Sequence, residues 1–157
     1  MTGKIRKNED LYWIQKARQV FKADKPEHFT NYMHCCECAE HDEVLKSSNV
    51  DTIGFKELGN PGWDPICFSS EQGKKYYMPA FVRLSLETIH DEFYIDQFLF
   101  HLEGNGRQNN LFLSCSPEQK RFIAAFLEYL IETFPEQIQR GFYGDQILRV
   151  HDIWSED

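Results

Sequence analysis

The chain has 157 residues and a formal net charge of −8, from 17 basic and 25 acidic side chains. Hydrophobic residues make up 41% of it and aromatic residues 15%, which excludes a disordered chain, and the length suits one domain with its own core. Because the basic residues are scattered, the sequence lacks the basic face that nucleic acid or an anionic membrane would require. We therefore predict that neither is a partner, whereas a protein partner is compatible with the acidic charge.

The start of the chain, MTGKIRKNED, is polar and lacks the apolar core of a signal peptide, and no stretch is apolar enough to cross a membrane. We expect a cytoplasmic protein whose five cysteines are kept reduced, as free thiols or as metal ligands. No linker, repeat or low-complexity tract divides the sequence, so residues 1–157 are predicted to form a single globular domain.

The first half of the chain is predicted to contain two helices and a hairpin. A helix over about residues 8–23 is indicated by apolar residues at helical spacing: Trp13, Ile14, Ala17, Val20 and Phe21. The stretch HCCECAEHDEVLK is predicted to belong to a second helix, and a loop follows up to the turn Asn60-Pro61-Gly62. From Asp64 to Tyr77, the apolar run ICF, the turn residues SSEQG and the return KYY predict a β-hairpin.

The second half is predicted to be helical. Pro79 is expected at the first position of one helix, and a further helix is expected from Phe93 to Leu102. The strongest signal is Ser116-Pro117-Glu118-Gln119, an N-terminal cap followed by a broad apolar stripe: Phe122, Ile123, Phe126, Leu127, Leu130, Ile131 and Phe134. A short helix from Asp145 to Trp154 follows. The predicted fold class is therefore α+β, a mostly helical single domain of five or six helices with one small β-hairpin.

Two blocks of the sequence carry recognisable motifs. One joins Cys35-Cys36-Glu37-Cys38 to the run FSSEQGKKYYMPA, and the other joins LSCSPEQ to FLEYL. Together they resemble an uncharacterised family of small bacterial proteins, a domain of unknown function. That family has a C-x-E-C motif, a Tyr-Tyr-Leu-Pro-Ala helix start and a C-terminal Glu-Gln … Phe-Leu helix. Met78 stands where the family has Leu. The resemblance implies a fold and a bacterial origin, and no activity.

The eight residues HCCECAEH, at positions 34–41, hold three of the five cysteines and two of the six histidines. Cys35 and Cys38 have the spacing at which a turn or a helix start brings two thiolates to one Zn²⁺, and His41 follows at the same interval. Further ligands are available at three positions: His34, Cys67 and His101. If the segment were fully helical, the residues sharing one face would be His34, Cys38 and His41.

Two other interpretations of these residues stay open. In one, Cys35 is a small hydrophobic group on a buried helix face, and the histidines and glutamates form the solvated side. In the other, Cys35 and Cys38 lie near a helix N-terminus, have lowered pKa values and form a reversible disulfide. Thioredoxin-type motifs follow a strand, however, and the preceding EHFTNYM is not typical of a buried strand.

The function favoured by this pattern is a non-catalytic interaction or accessory domain of the cytoplasm with a structural zinc site. One alternative is an enzyme that uses the Cys/His cluster for metal-assisted hydrolysis or thiol redox chemistry. Another is an acidic, protein-binding inhibitor or immunity-type protein. An enzyme is predicted to place Cys35, Cys38 or His41 in an open cleft, whereas a structural zinc site is closed by four protein ligands.

Overall fold

The computed structural model describes residues 8–155, and every regular element in this range is helical. Nine α-helices follow one another along the described residues: α1 Asn8–Val20, α2 Cys36–Ser47, α3 Phe55–Leu58, α4 Glu71–Glu87, α5 Ile95–Glu103, α6 Asn110–Ser114, α7 Pro117–Thr133, α8 Pro135–Arg140 and α9 Gly144–Trp154. Three short 3₁₀ helices lie between them: η1 Pro61–Trp63, η2 Pro65–Phe68 and η3 Gly106–Gln108.

The predicted α+β class is wrong, because residues 8–155 contain no strand and the expected hairpin at 64–77 is absent from them. The residues SSEQG start a helix instead of a β-turn. Ser70 is the N-cap of α4, and its Oγ accepts a hydrogen bond from the Gly73 N–H at 3.1 Å. Serine favours a turn and a helix start alike, so the local pattern did not separate the two structures. The expected number of five or six helices is also too low.

Pro79 lies inside α4 and not at its first position, which corrects the expected helix start. An internal proline removes one backbone hydrogen bond and costs about 3 kcal/mol. The buried residues of α4 nevertheless continue on both sides of the proline, among them Tyr77, Met78, Phe81 and Leu84. Burying each such side chain contributes roughly 1.5–3 kcal/mol, so the packed stripe outweighs the proline.

The other predicted helices over these parts of the chain are confirmed, as α1, α5, α7 and α9. The start of α7 has the expected capping box, in which Ser116 and Gln119 each bond the other's backbone N–H. Helix α7 is central to the core: α1 and α9 both pack against it, and its Phe126 is fully buried against Trp13 and Phe98.

Helix α2 packs on η2, and this contact positions the region that carries the cysteines. Among residues 8–155, no helix has both the length and the apolar character that crossing a bilayer requires.

Candidate metal and thiol sites

The segment that carries the cysteine cluster changes from a turn to a helix at Cys35. The His34 N–H donates to the Asn31 carbonyl at 2.9 Å, which closes a turn. Cys35 then has extended backbone angles, φ −164° and ψ 173°, and is the N-cap of α2. The alternative of a fully helical segment, with His34, Cys38 and His41 on one face, therefore does not apply, because α2 begins only at Cys36.

The capping geometry brings Cys35 and Cys38 together. The Sγ atom of Cys35 accepts a hydrogen bond from the Cys38 N–H at 3.4 Å, as the oxygen of a Ser or Asp cap would. The two Sγ atoms are in contact at 3.4 Å, and His34 Nδ1 lies 3.8 Å from the Cys38 Sγ. One ligand atom from each of the three residues lies within 4.8 Å of the other two, so this group could hold a metal ion.

The two thiols of this pair have different environments. Cys35 is exposed, and hydrogen bonds from the Cys38 N–H, from His34 and from the Cys38 thiol lower its pKa to about 7. Cys38 is buried, and its hydrogen bond to Cys35, followed by desolvation, raises its pKa. Near neutral pH a large fraction of Cys35 is therefore thiolate at the surface, with the Cys38 thiol behind it.

Two hydrogen-bond networks hold the segment before the site against α2. The Thr30 hydroxyl donates to the Cys38 carbonyl at 2.7 Å. The buried Asp42 carboxylate accepts from the backbone N–H groups of Phe29 and Thr30 at 2.6 and 3.1 Å, and pairs with His28 at 2.8 Å. These bonds fix the position from which the chain enters the cysteine turn.

His41 lies apart from the group formed by His34, Cys35 and Cys38. Its ring is fully buried and stacks on Phe68, with ring centroids 4.5 Å apart, beside Trp63 at 4.6 Å. Neither ring nitrogen has a hydrogen-bond partner among the described residues, and the Glu37 carboxylate lies 3.9 Å from Nε2. Of the predicted set Cys35, Cys38 and His41, the structure thus groups the two cysteines with His34 and packs His41 on η2.

Asp64, Cys67 and His101 form a second group, again with one ligand atom each within 4.8 Å of the others. Asp64 is the N-cap of η2, and its Oδ1 accepts from the Ile66 N–H at 2.9 Å. Its Oδ2 lies 3.0 Å from His101 Nε2 and accepts from the Gln97 amide at 2.9 Å. Asp64 and His101 are buried, whereas Cys67 reaches the surface.

The second group borders two pockets, of about 250 and 170 Å³, and Cys67 lines both. Asp64 and Gln97 contribute to the larger pocket, and His101 contributes to the smaller one. Partial burial, followed by the charge of Asp64, raises the pKa of the Cys67 thiol to about 11. The thiol is therefore protonated near neutral pH unless a cation displaces the proton.

From the sequence, Cys67 and His101 were predicted only as further ligands for the first site, and Asp64 was interpreted as a turn residue that accepts backbone hydrogen bonds, not as their neighbour. A local signal for this residue was present. Asp64 followed by Pro65 reads as an N-cap and first position of a helical turn. In a 3₁₀ turn the side chains at i and i+3 are eclipsed, which places Asp64 and Cys67 on one face. His101 could not be found this way, because it is distant in the sequence.

Comparison of the chain with protein-family models, with curated proteins and with solved structures gives no match.

Proposed function

We propose that the protein is a thiol–disulfide redox protein in which Cys35 is the attacking thiolate and Cys38 the resolving thiol. The observation that carries this proposal is the position of the pair at the start of α2. Cys35 is the exposed N-cap, its sulfur accepts the Cys38 N–H, and the buried Cys38 sulfur lies 3.4 Å behind it. This arrangement also favours redox chemistry over a buried structural thiol, because Cys35 does not lie in the core.

The helix start supplies the electrostatics that the reaction needs. Unpaired backbone N–H groups and the positive end of the helix dipole stabilise an anion at the N-cap, and the thiolate is the nucleophilic form of cysteine. A pKa of about 7 for Cys35 agrees with this, because attacking thiols are most effective when their pKa is near the ambient pH.

The proposed substrate is a disulfide, in a small molecule or in a protein. The Cys35 thiolate attacks one substrate sulfur, a mixed disulfide forms, and the first substrate thiolate leaves and takes a proton from water. Cys38 then gives its proton to solvent and attacks the Cys35 sulfur, which releases the second thiolate. Two protein thiols are oxidised to one disulfide, and the substrate disulfide is reduced to two thiols. A reduced compartment such as the cytoplasm suits this cycle.

Reaction with glutathione disulfide, followed by peptide mapping, tests the proposal. We expect wild-type protein to form a Cys35–Cys38 disulfide and the Cys38→Ser variant to trap glutathione on Cys35 as a 1:1 mixed disulfide. Cys36→Ser is the matched control, because Cys36 is an exposed neighbour outside the pair, and this variant should still form the disulfide. Glutathione spread equally over Cys35 and Cys36 in the Cys38→Ser variant would contradict the proposal.

Zinc binding by His34, Cys35 and Cys38 is a second candidate function. It is supported by the three ligand atoms within 4.8 Å of one another. His34 and Cys35 are exposed, which is more typical of an open, exchangeable zinc site than of the closed structural site that the sequence favoured. The protein would then be an accessory domain that binds zinc in the reduced state. We expect the Cys38→Ser variant to hold close to one equivalent of zinc less than reduced wild-type protein, by elemental analysis.

A further inference from the structure

We infer that Asp64, Cys67 and His101 form a separate binding site for a divalent transition-metal cation of the zinc class. Their ligand atoms, a carboxylate oxygen, a thiol sulfur and an imidazole nitrogen, lie within 4.8 Å of one another. This mixed donor set suits Zn²⁺ or Co²⁺, whereas Mg²⁺ and Ca²⁺ prefer oxygen ligands alone. The inference does not depend on the proposed redox function of the first cysteine pair.

Two regular elements hold the three ligands in place. Asp64 is the N-cap of η2, and Cys67 lies within η2 on the same face. His101 projects from α5. Gln97 lies one turn before His101 on α5 and donates both to Asp64 Oδ2, at 2.9 Å, and to the Leu58 carbonyl, at 2.6 Å. The orientation of the carboxylate is therefore set by the protein, as is usual for ligands of a bound metal.

The site is accessible from one side. Asp64 and His101 are buried, but Cys67 reaches the surface between the pockets of about 250 and 170 Å³, with Phe100 lining both. A cation can therefore enter beside the thiol. Three protein ligands leave the fourth position of a tetrahedral zinc to water or to a small molecule in the larger pocket.

The simpler alternative is that Asp64 and His101 are only a buried pair that joins η2 to α5. The role of Cys67 distinguishes the metal site from this buried pair, because the thiol is a ligand in the metal site and takes no part in the Asp64–His101 contact. Cys67 is also the exposed member, so its substitution leaves the Asp64–His101 contact in place.

The test is a cobalt titration of reduced Cys35→Ser/Cys38→Ser protein, which lacks the first pair of thiols. We expect one equivalent of Co²⁺ to bind with a near-ultraviolet thiolate-to-cobalt charge-transfer band. Adding Cys67→Ser should abolish the band and weaken binding by about tenfold or more. Adding Cys36→Ser instead is the matched control, and it should leave the charge-transfer band and the cobalt affinity unchanged. No band in the starting variant, or a band that survives Cys67→Ser, would overturn the inference.

A second arm uses the wild-type background and does not depend on the folding of the double variant. There, Cys67→Ser should bind less cobalt than the Cys36→Ser control when both are measured at the lowest cobalt concentration that saturates the control. Equal cobalt content in the two variants would overturn the inference as well. If the Cys67→Ser variant binds less cobalt while its Cys35 still reacts fully with glutathione disulfide, this metal site is distinct from the redox pair.

Discussion

At the scale of single residues, cysteine has opposite properties at two places in this chain. Cys35 is exposed at a helix N-terminus, where N–H groups stabilise the thiolate and lower its pKa to about 7. Cys115 is buried, and desolvation raises its pKa to about 11. The residue type alone thus does not decide reactivity, because backbone donors favour the charged form and apolar surroundings disfavour it.

The rate of Cys35 alkylation by iodoacetamide should rise with pH through a midpoint of about 7, because the thiolate is the reactive form and predominates above the pKa. Cys38→Ala should move this midpoint only part of the way toward 9.0, because the backbone N–H of residue 38 is the largest cause and is retained. Mass spectrometry of alkylated peptides over a pH series measures the Cys35 midpoint in wild type and in Cys38→Ala. Cys115 is the internal control and should stay unreacted in folded protein. A Cys35 midpoint near 9 would contradict the structure.

At the scale of elements, the start of α2 depends on contacts made further along the same helix. Asp42 is buried and bonds the backbone of Phe29 and Thr30, so it ties the preceding segment to the helix. Its desolvation alone would raise the carboxyl pKa, but the hydrogen bonds from His28 and from these N–H groups outweigh it and the pKa is lowered. The cysteine turn is therefore supported by a buried charge with several donors.

Replacing Asp42 with Asn should lower the free energy of unfolding by about 2 kcal/mol at neutral pH, because the charge-assisted bonds to two buried N–H groups become weaker bonds to a neutral amide oxygen. A carboxyl pKa lowered by folding stabilises the protein above its ordinary value of 3.8, and this contribution is lost as the pH falls below it. The difference between wild type and variant should therefore shrink by about pH 2. Urea unfolding of wild type and variant at neutral pH and at about pH 2 measures this difference in stability. Glu43→Gln, an exposed acid on the same helix, is the control and should change stability little.

Helix α7 should dominate the stability of the core. Phe126 is fully buried against Trp13 and Phe98, so Phe126→Ala should cost about 3–5 kcal/mol through the cavity that it leaves. Phe100 is 63% exposed, and Phe100→Ala is the matched control with an expected cost below about 1 kcal/mol. Chemical denaturation measures both. If Phe126→Ala lowers the free energy of unfolding by less than about 1 kcal/mol, Phe126 is not a central residue of the core.

At the scale of the whole molecule, the net charge of −8 governs which partners can associate. We expect no measurable binding to random duplex DNA at physiological salt, because the chain repels phosphate. Fluorescence anisotropy of a labelled duplex checks this, with a basic DNA-binding domain as the positive control. Tight binding that weakens as salt is raised would show a basic surface that the sequence does not indicate.

Helices could be predicted from the sequence where their signals were local, and Ser116 with Gln119 shows why. The cap and the apolar stripe of α7 lie within one continuous segment, and no distant contact competes with them. Residues around Ser70 and Tyr77 had an equally local pattern that suits a turn or a helix. The helix is formed because Tyr77 and the residues after it pack into the core, and Tyr77 donates to the distant Leu45 carbonyl at 2.5 Å.

The difference between local signals and distant contacts also explains how far each of the two candidate sites could be predicted. The sequence by itself determined the proximity of Cys35 and Cys38, because an N-cap and the residue three positions later are neighbours in any helix start. The local turn closed by the Asn31 carbonyl brings His34 to the pair. The tertiary structure decided that His41 stacks on Phe68. It also decided that Asp64 and His101, 37 positions apart, meet beside Cys67. Contacts between distant segments depend on how helices pack, and packing is set by the whole core and not by the spacing of any one motif.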